Sequence, residues 1–168
     1  MLKNSEQRFF YVWSGADFPF VNLLSVSLTL KHHPEAQVDI YVVGDRPLTA
    51  WFAVLEQIPH VSIRYISGND VIEMLPSHLQ VVARTFNNLS PTAHSARSNI
   101  LRYAILYLYG GVYLDFDVLL RRSMDSLMGY EAFAGEELVW ADDEARLGQV
   151  AALVHLLDEV AQHALGGV

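Results

Sequence analysis

The chain has 168 residues, 52% hydrophobic and 18% charged, which suits a single folded domain over residues 1–168 rather than a disordered segment. The formal net charge is −8 and the only lysines are Lys3 and Lys31, so binding driven by a nucleic-acid backbone is not expected. Cysteine is absent, which excludes a disulfide scaffold and thiolate metal sites. The first ten residues, MLKNSEQRFF, contain no apolar signal region. The longest apolar runs are broken by Asn22, Arg102 or Asp115 before about 20 clean residues accumulate, so no membrane span and a cytoplasmic location are expected.

In chain order, RFFYVW (Arg8–Trp13) is aromatic and β-branched and runs into SGAD, which predicts a strand ending in a loop. PFVNLLSVSLTLKHHP has apolar residues at helical spacing and predicts a helix stopped before Pro34. VDIYVVGD (Val38–Asp45) predicts a second strand covered on both faces, LTAWFAVLEQI a helix, and VSIRYIS (Val61–Ser67) a third strand. DVIEMLPSHL predicts a short helical stretch interrupted near Pro76.

SPTAHSARSNILRYAILYLYGG is the clearest helix, with Ser90 or Thr92 available to cap it and Gly110 and Gly111 to end it. VYLDFDV then predicts a fourth strand and EAFAGEE a further one. The end of the chain, from Ala141 to Gly167, predicts an amphipathic helix. Alternating strands and helices imply a mainly parallel sheet flanked by helices, where ligands bind beyond the carboxyl ends of the strands. Trp13 and the pair Asp115 and Asp117 both fall at such ends.

In GGVYLDFDV the two aspartates lie two positions apart in an apolar run. A strand would turn both carboxylates to one side, where they repel unless they sit in water or hold a cation. Spacing alone leaves both readings open. The preceding helix carries Ser95, Ser98, Asn99 and Arg102 at intervals of three and four, which makes one polar stripe on its first half. Oxygen ligands without sulfur or imidazole suit Mg²⁺ or Mn²⁺, and a diphosphate bound to such an ion would also attract Arg102.

The run ARSNILRYAILYLYGGVYLDFDV (Ala96–Val118) closely resembles the signature of the DXD-containing sugar-binding glycosyltransferases. That family groups an initiating mannosyltransferase with capsular-polysaccharide enzymes and is related to the glucosylating clostridial toxins. YVWSG (Tyr11–Gly15), followed by a helix ending HHP, resembles the family's opening as well. The resemblance implies a GT-A-like, Rossmann-like fold in a shortened member and a role in polysaccharide biosynthesis. It further implies a nucleoside-diphosphate sugar donor, a glycan, lipid or protein acceptor, and retention of configuration.

By the same resemblance, Asp115 and Asp117 would serve Mn²⁺ or Mg²⁺, and Trp13, with Val12 beside it, would stack on the nucleotide base. Arg102 would contact the sugar or diphosphate, and Ser98, Asn99 and Asp115 would join the nucleotide-sugar contacts. The catalytic set is thus Asp115, Asp117 and Arg102. Position 99 is a departure: the family usually has Asp there, and Asn99 keeps hydrogen bonding but loses the charge. Incomplete coverage of the core in a short member would favour self-association.

Two alternatives stand beside this reading. A non-catalytic nucleotide-sugar-binding or interaction domain would bind uridine or guanosine diphosphate without turnover. An aspartate-nucleophile phosphatase would use Asp115 to attack phosphate, but its usual arrangement needs a downstream lysine and none follows Lys31. Several other residues have plain structural readings. His32 and His33 are expected at a solvated helix end, Trp51 and Trp140 in packing, and Tyr103, Tyr107 and Tyr109 in the core with polar tips. His94 lies near the polar stripe and is a minor site candidate.

Overall fold

The computed structural model describes residues 7–135, apart from 91 and 131. The chain divides into two compact units, Met1–Glu131 and Ala132–Val168. The first holds four strands and five α-helices among its described residues: β1 (Arg8–Trp13), α1 (Phe20–His32), β2 (Gln37–Val43), α2 (Ala50–Leu55), β3 (Val61–Ile66), α3 (Gly68–Glu73), α4 (Gln80–Asn88), α5 (His94–Tyr109) and β4 (Val112–Tyr113). A short 3₁₀ turn, Ser77–Leu79, follows Pro76 and leads into α4. In the second unit Ala132–Gly135 carry no regular structure. The rest of the strand expected at EAFAGEE, Trp140 and the expected C-terminal helix lie outside the described residues.

The strands are all parallel, in the order β3-β2-β1-β4, with Tyr11 opposite Ile40 and Ile40 opposite Ile63. The chain steps outward from β1 through β2 to β3, then returns past the starting strand to add β4 on its other side. The order therefore reverses between β1 and β4. A crevice opens at the carboxyl ends of the strands where such a reversal occurs. The parallel sheet flanked by helices is the α/β class expected from the alternation of strands and helices.

Both faces of the sheet are covered, which explains why β1 and β2 are apolar almost throughout. Phe9 and Tyr11 of β1 join Val38, Ile40 and Val42 of β2, Leu23 and Val26 of α1, and Phe52 and Leu55 of α2 in one cluster of buried side chains. On the opposite face Phe10 packs edge-on to Tyr41, and α5 contributes the buried Leu101, Ala104 and Ile105. Asp39 is buried in β2 and neutralised by Arg8 of β1 at 3.3 Å and Arg64 of β3 at 2.8 Å.

Several local expectations are corrected. Ser90 and Thr92 do not cap α5: their hydroxyls pair with each other at 2.8 Å, and the helix begins after Ala93 without a side-chain cap. Gly110 and Gly111 do end it, with φ of +66° and +97°. Strand β4 is only two residues long, because the chain turns after Leu114 and Val118 N–H closes back on the Asp115 carbonyl at 3.0 Å. Helix α4 was not expected; its only buried residue is Phe86, so its sequence carries little core signal.

His33 is not solvated but buried. Its Nδ1 bonds Gln7 Oε1 at 2.9 Å and its Nε2 accepts the Met124 N–H at 3.0 Å. Tyr107 and Tyr109 are 43% and 45% exposed, so they are not core residues. Trp51, 44% exposed, packs at the surface against the exposed Phe20, ring centroids 5.0 Å apart. No helix among the described residues is long and apolar enough to cross a membrane.

Candidate functional site

Strand β1 carries Val12 and Trp13 to the carboxyl edge of the sheet and ends there, because the loop from Ser14 turns away. The Trp13 indole donates to the Gly15 carbonyl at 3.1 Å and stands edge-on to Phe18 and Phe116, with ring centroids 5.5 and 5.6 Å away. These contacts hold the ring at a fixed angle while leaving it half-buried. Rigid aromatic surface of this kind is suited to stacking on a planar ligand.

The two aspartates are brought together by a turn rather than by strand alternation. Between them Phe116 points inward, stacked on Tyr11 at 4.6 Å and edge-on to Phe18 at 5.3 Å. The buried phenyl anchors the turn, so the carboxylates flanking it stay at the surface of the same cavity. Ser25 of α1 fixes the far side by donating to the Val118 carbonyl at 2.6 Å.

Arg102 is fastened from three sides. Its Nη1 donates to Asp115 Oδ2 at 2.9 Å, its Nη2 donates to Asn99 Oδ1, and its guanidinium lies over the Tyr113 ring, 4.7 Å from the centroid. The Tyr113 hydroxyl donates to the other oxygen of Asp115. Burial pushes the Tyr113 phenol well above its ordinary range, with Arg102 opposing and Asp115 adding to the shift, so it stays protonated and remains a donor. Arg102 Nε is buried without a hydrogen-bond partner among the described residues.

An open cavity of about 290 Å³ gathers these parts. Val12 and Trp13 line it from β1, Ser95 and Ser98 from α5, and Asp115 and Asp117 from the turn. Of the residues expected at the site, Asn99 and Arg102 do not line the cavity; they connect to it through Asp115. Ser14, Asn22, His94 and Phe116 line it in addition, with Ser14 Oγ and His94 Nδ1 3.1 Å apart. Ser14 follows the expected strand directly, and its place next to Trp13 was the available signal. Asn22 stood out only as a polar interruption in an apolar helix.

The carboxylates on the cavity are Asp115 and Asp117, and the described residues hold no group of three or more His, Cys, Asp or Glu side chains able to enclose an ion. Asp117 is exposed on the cavity, whereas both oxygens of Asp115 already accept hydrogen bonds. One or two carboxylates at an open cleft fit Mg²⁺ or Mn²⁺, which complete their shells with water and ligand phosphates rather than a full protein cage.

The chain is 30% identical over 117 residues to lactosylceramide 4-alpha-galactosyltransferase of Rattus norvegicus, a match covering 64% of this chain and 31% of that protein. It is 51% identical over 37 residues to inositol phosphoceramide mannosyltransferase 3 of Schizosaccharomyces pombe, covering 22% of this chain and 10% of the relative. Among solved structures, PaToxG glycosyltransferase matches at 22% identity and a TM-score of 0.46, over 71% of this chain and 44% of that one. Galactosyltransferase LgtC, in complex with donor and acceptor sugar analogs, matches at 16% identity and a TM-score of 0.41, over 74% and 43%. The chain thus spans less than half the length of the two curated relatives. The family described as the glycosyltransferase sugar-binding region containing the DXD motif matches residues 24–134, and the chain belongs to it.

Proposed function

We propose that the chain binds a nucleoside-diphosphate sugar and transfers the sugar to an acceptor with retention of configuration, assisted by Mn²⁺ or Mg²⁺. The observation that carries this reading is the shared cavity: Trp13, Asp115 and Asp117 line one crevice at the strand-order reversal between β1 and β4. Trp13 stacks on the base, with Val12 beside it. Asp117 holds the ion directly, and Asp115 orients Arg102 and stands next to the ribose. Ser98, on the α5 side, serves the sugar hydroxyls, and Asn99 behind it holds Arg102.

A bound divalent ion supplies charge neutralisation for the departing diphosphate. Arg102 contributes a second, permanent positive charge, already fixed by Asp115 and Asn99, so little reorganisation is needed as negative charge develops. No side chain is required as general base if a leaving phosphate oxygen takes the acceptor's proton on the same face. Both curated relatives are named for acceptors built on ceramide, which favours a lipid among the three acceptor classes.

The test is hydrolysis and transfer from a panel of nucleoside-diphosphate sugars with Mn²⁺. Asp117→Ala is expected to lower turnover by roughly 10²–10³-fold, the usual effect of losing one electrostatic contact to the leaving group. Unchanged turnover in that variant removes the reading. Calorimetric binding of uridine or guanosine diphosphate without turnover on any donor would assign the binding-only alternative.

A further inference from the structure

Helix α1 lays one polar track across the apolar core. Thr29 Oγ1 and Tyr11 Oη lie 2.7 Å apart, Ser25 Oγ is 3.3 Å from the same phenol, and Ser25 also reaches the Val118 carbonyl. Each of these groups has a partner, so the track is closed where it passes through the interior. Asn22 lies one turn before Ser25 on the same face and is the member nearest the strand ends. It is only 3% exposed, lines the cavity, and its Nδ2 has no hydrogen-bond partner among the described residues.

A buried amide without a partner is costly, and nothing in the helix requires one, because Leu or Val would suit a position facing the core. The cost is recovered if a ligand brings an acceptor. We infer that Asn22 is a specificity-determining residue that donates to the nucleobase of the bound donor; this rests on the nucleotide-sugar reading above. The base is the partner because Asn22 is neutral and buried at the floor, whereas Arg102 and Asp117 supply the charge a diphosphate needs. Phe116, edge-on to Trp13, fixes the aromatic wall on which a flat ring enters that floor.

A site that offers a buried donor to one base penalises a base lacking an acceptor there more than it gains from a match. Asn22 therefore sets which nucleoside diphosphate binds rather than how tightly all of them do. The experiment is calorimetry with uridine, cytidine, guanosine and adenosine diphosphates and with pyrophosphate, each with Mn²⁺, on wild type, Asn22→Leu and Asn22→Ala. Wild type is expected to prefer one base. Asn22→Leu should weaken that nucleotide about 10-fold, bring the four within about 2-fold of one another, and leave pyrophosphate unchanged. Its melting temperature without nucleotide should equal or exceed that of wild type, and Asn22→Ala gives the same binding readout if the leucine variant does not fold.

A preference kept intact in the variants, an equal loss for every nucleotide and pyrophosphate, or a wild type with no preference overturns the assignment and leaves the nucleotide-sugar reading standing. A wild type that binds none of the nucleotides overturns that reading, and the role of Asn22 falls with it.

Discussion

Arg102 on α5 and Asp115 in the turn after β4 are joined by an ion pair of 2.9 Å across the crevice edge, with side chains 20% and 44% exposed. The pair ties the helix bearing the polar stripe to the turn bearing both carboxylates, so the site is held by chemistry as well as packing. Exposed ion pairs contribute little to stability, but this guanidinium is also fixed by Asn99 and by the face of Tyr113. Under the proposed function, its value would lie in placing a fixed positive charge near the leaving diphosphate.

Arg102→Lys is therefore expected to cost more than a conservative exchange suggests. A lysine keeps the charge but cannot bond Asp115 and Asn99 together through a planar fork. Donor hydrolysis should fall about 10-fold for Arg102→Lys and roughly 10²–10³-fold for Arg102→Ala, with melting temperatures nearly unchanged. A lysine variant with full activity would show that only the charge matters.

Position 99 tests the competition for the same guanidinium. In Asn99→Asp a charged oxygen replaces the neutral one that accepts from Arg102 Nη2, and the stronger pair draws Arg102 away from Asp115. Under the proposed metal-assisted reading, Asp115 would then be freer to share an ion with Asp117. The apparent affinity for Mn²⁺, read by titration of nucleotide binding, should tighten several-fold, by roughly 1 kcal/mol. No change in the Mn²⁺ titration would mean that Arg102 does not limit Asp115.

The sheet was legible in the sequence because β1 and β2 are apolar runs bounded by turn residues, as parallel strands buried on both faces need, while the edge strand β3 shows the alternation of VSIRYI. The DXD turn was legible for its residues and not for its geometry. Local alternation predicted a strand through Asp117, but Phe116 gains more by packing on Tyr11 and Phe18 inside the core than by extending the ladder. Asn22 and His33 were misjudged or passed over for a common reason. Their surroundings are supplied from 90 or more positions away, by the turn of Asp115 and Asp117 that shares the cavity with Asn22 and by Met124 against His33, which no local pattern records.

Gly111 carries a backbone requirement that can be checked separately from activity. Its φ is +97°, and a Cβ there would fall 2.9 Å from the Arg8 carbonyl oxygen, the backbone of the strand that β4 joins. Gly111→Ala should destabilise the protein by about 1–3 kcal/mol in a denaturant titration, through left-handed strain and the clash together. Gly110, at φ +66° with open space around it, meets only the strain, so Gly110→Ala should cost less. Equal costs would count against the close approach to Arg8.

His33 gives the fold a pH dependence whose sign follows from its bonds. Nε2 accepts the Met124 N–H and Nδ1 donates to Gln7, so the folded protein holds the neutral ring. Burial lowers its pKa; Asp125, 3.6 Å from Nδ1, opposes the shift, and His32 adds to it. The unfolded chain takes up the proton near the ordinary value of about 6.5, before the folded protein does. Stability from this residue is therefore complete above that pH and is lost as the pH falls toward the lower folded value, because the unfolded state then binds more protons. Protonation also removes the acceptor for Met124 N–H. Melting temperatures measured at neutral and at mildly acidic pH should fall more steeply in wild type than in His33→Gln, whose amide oxygen accepts the same bond without titrating in this range. Parallel slopes in the two proteins would show that the ring is free to protonate in the folded state.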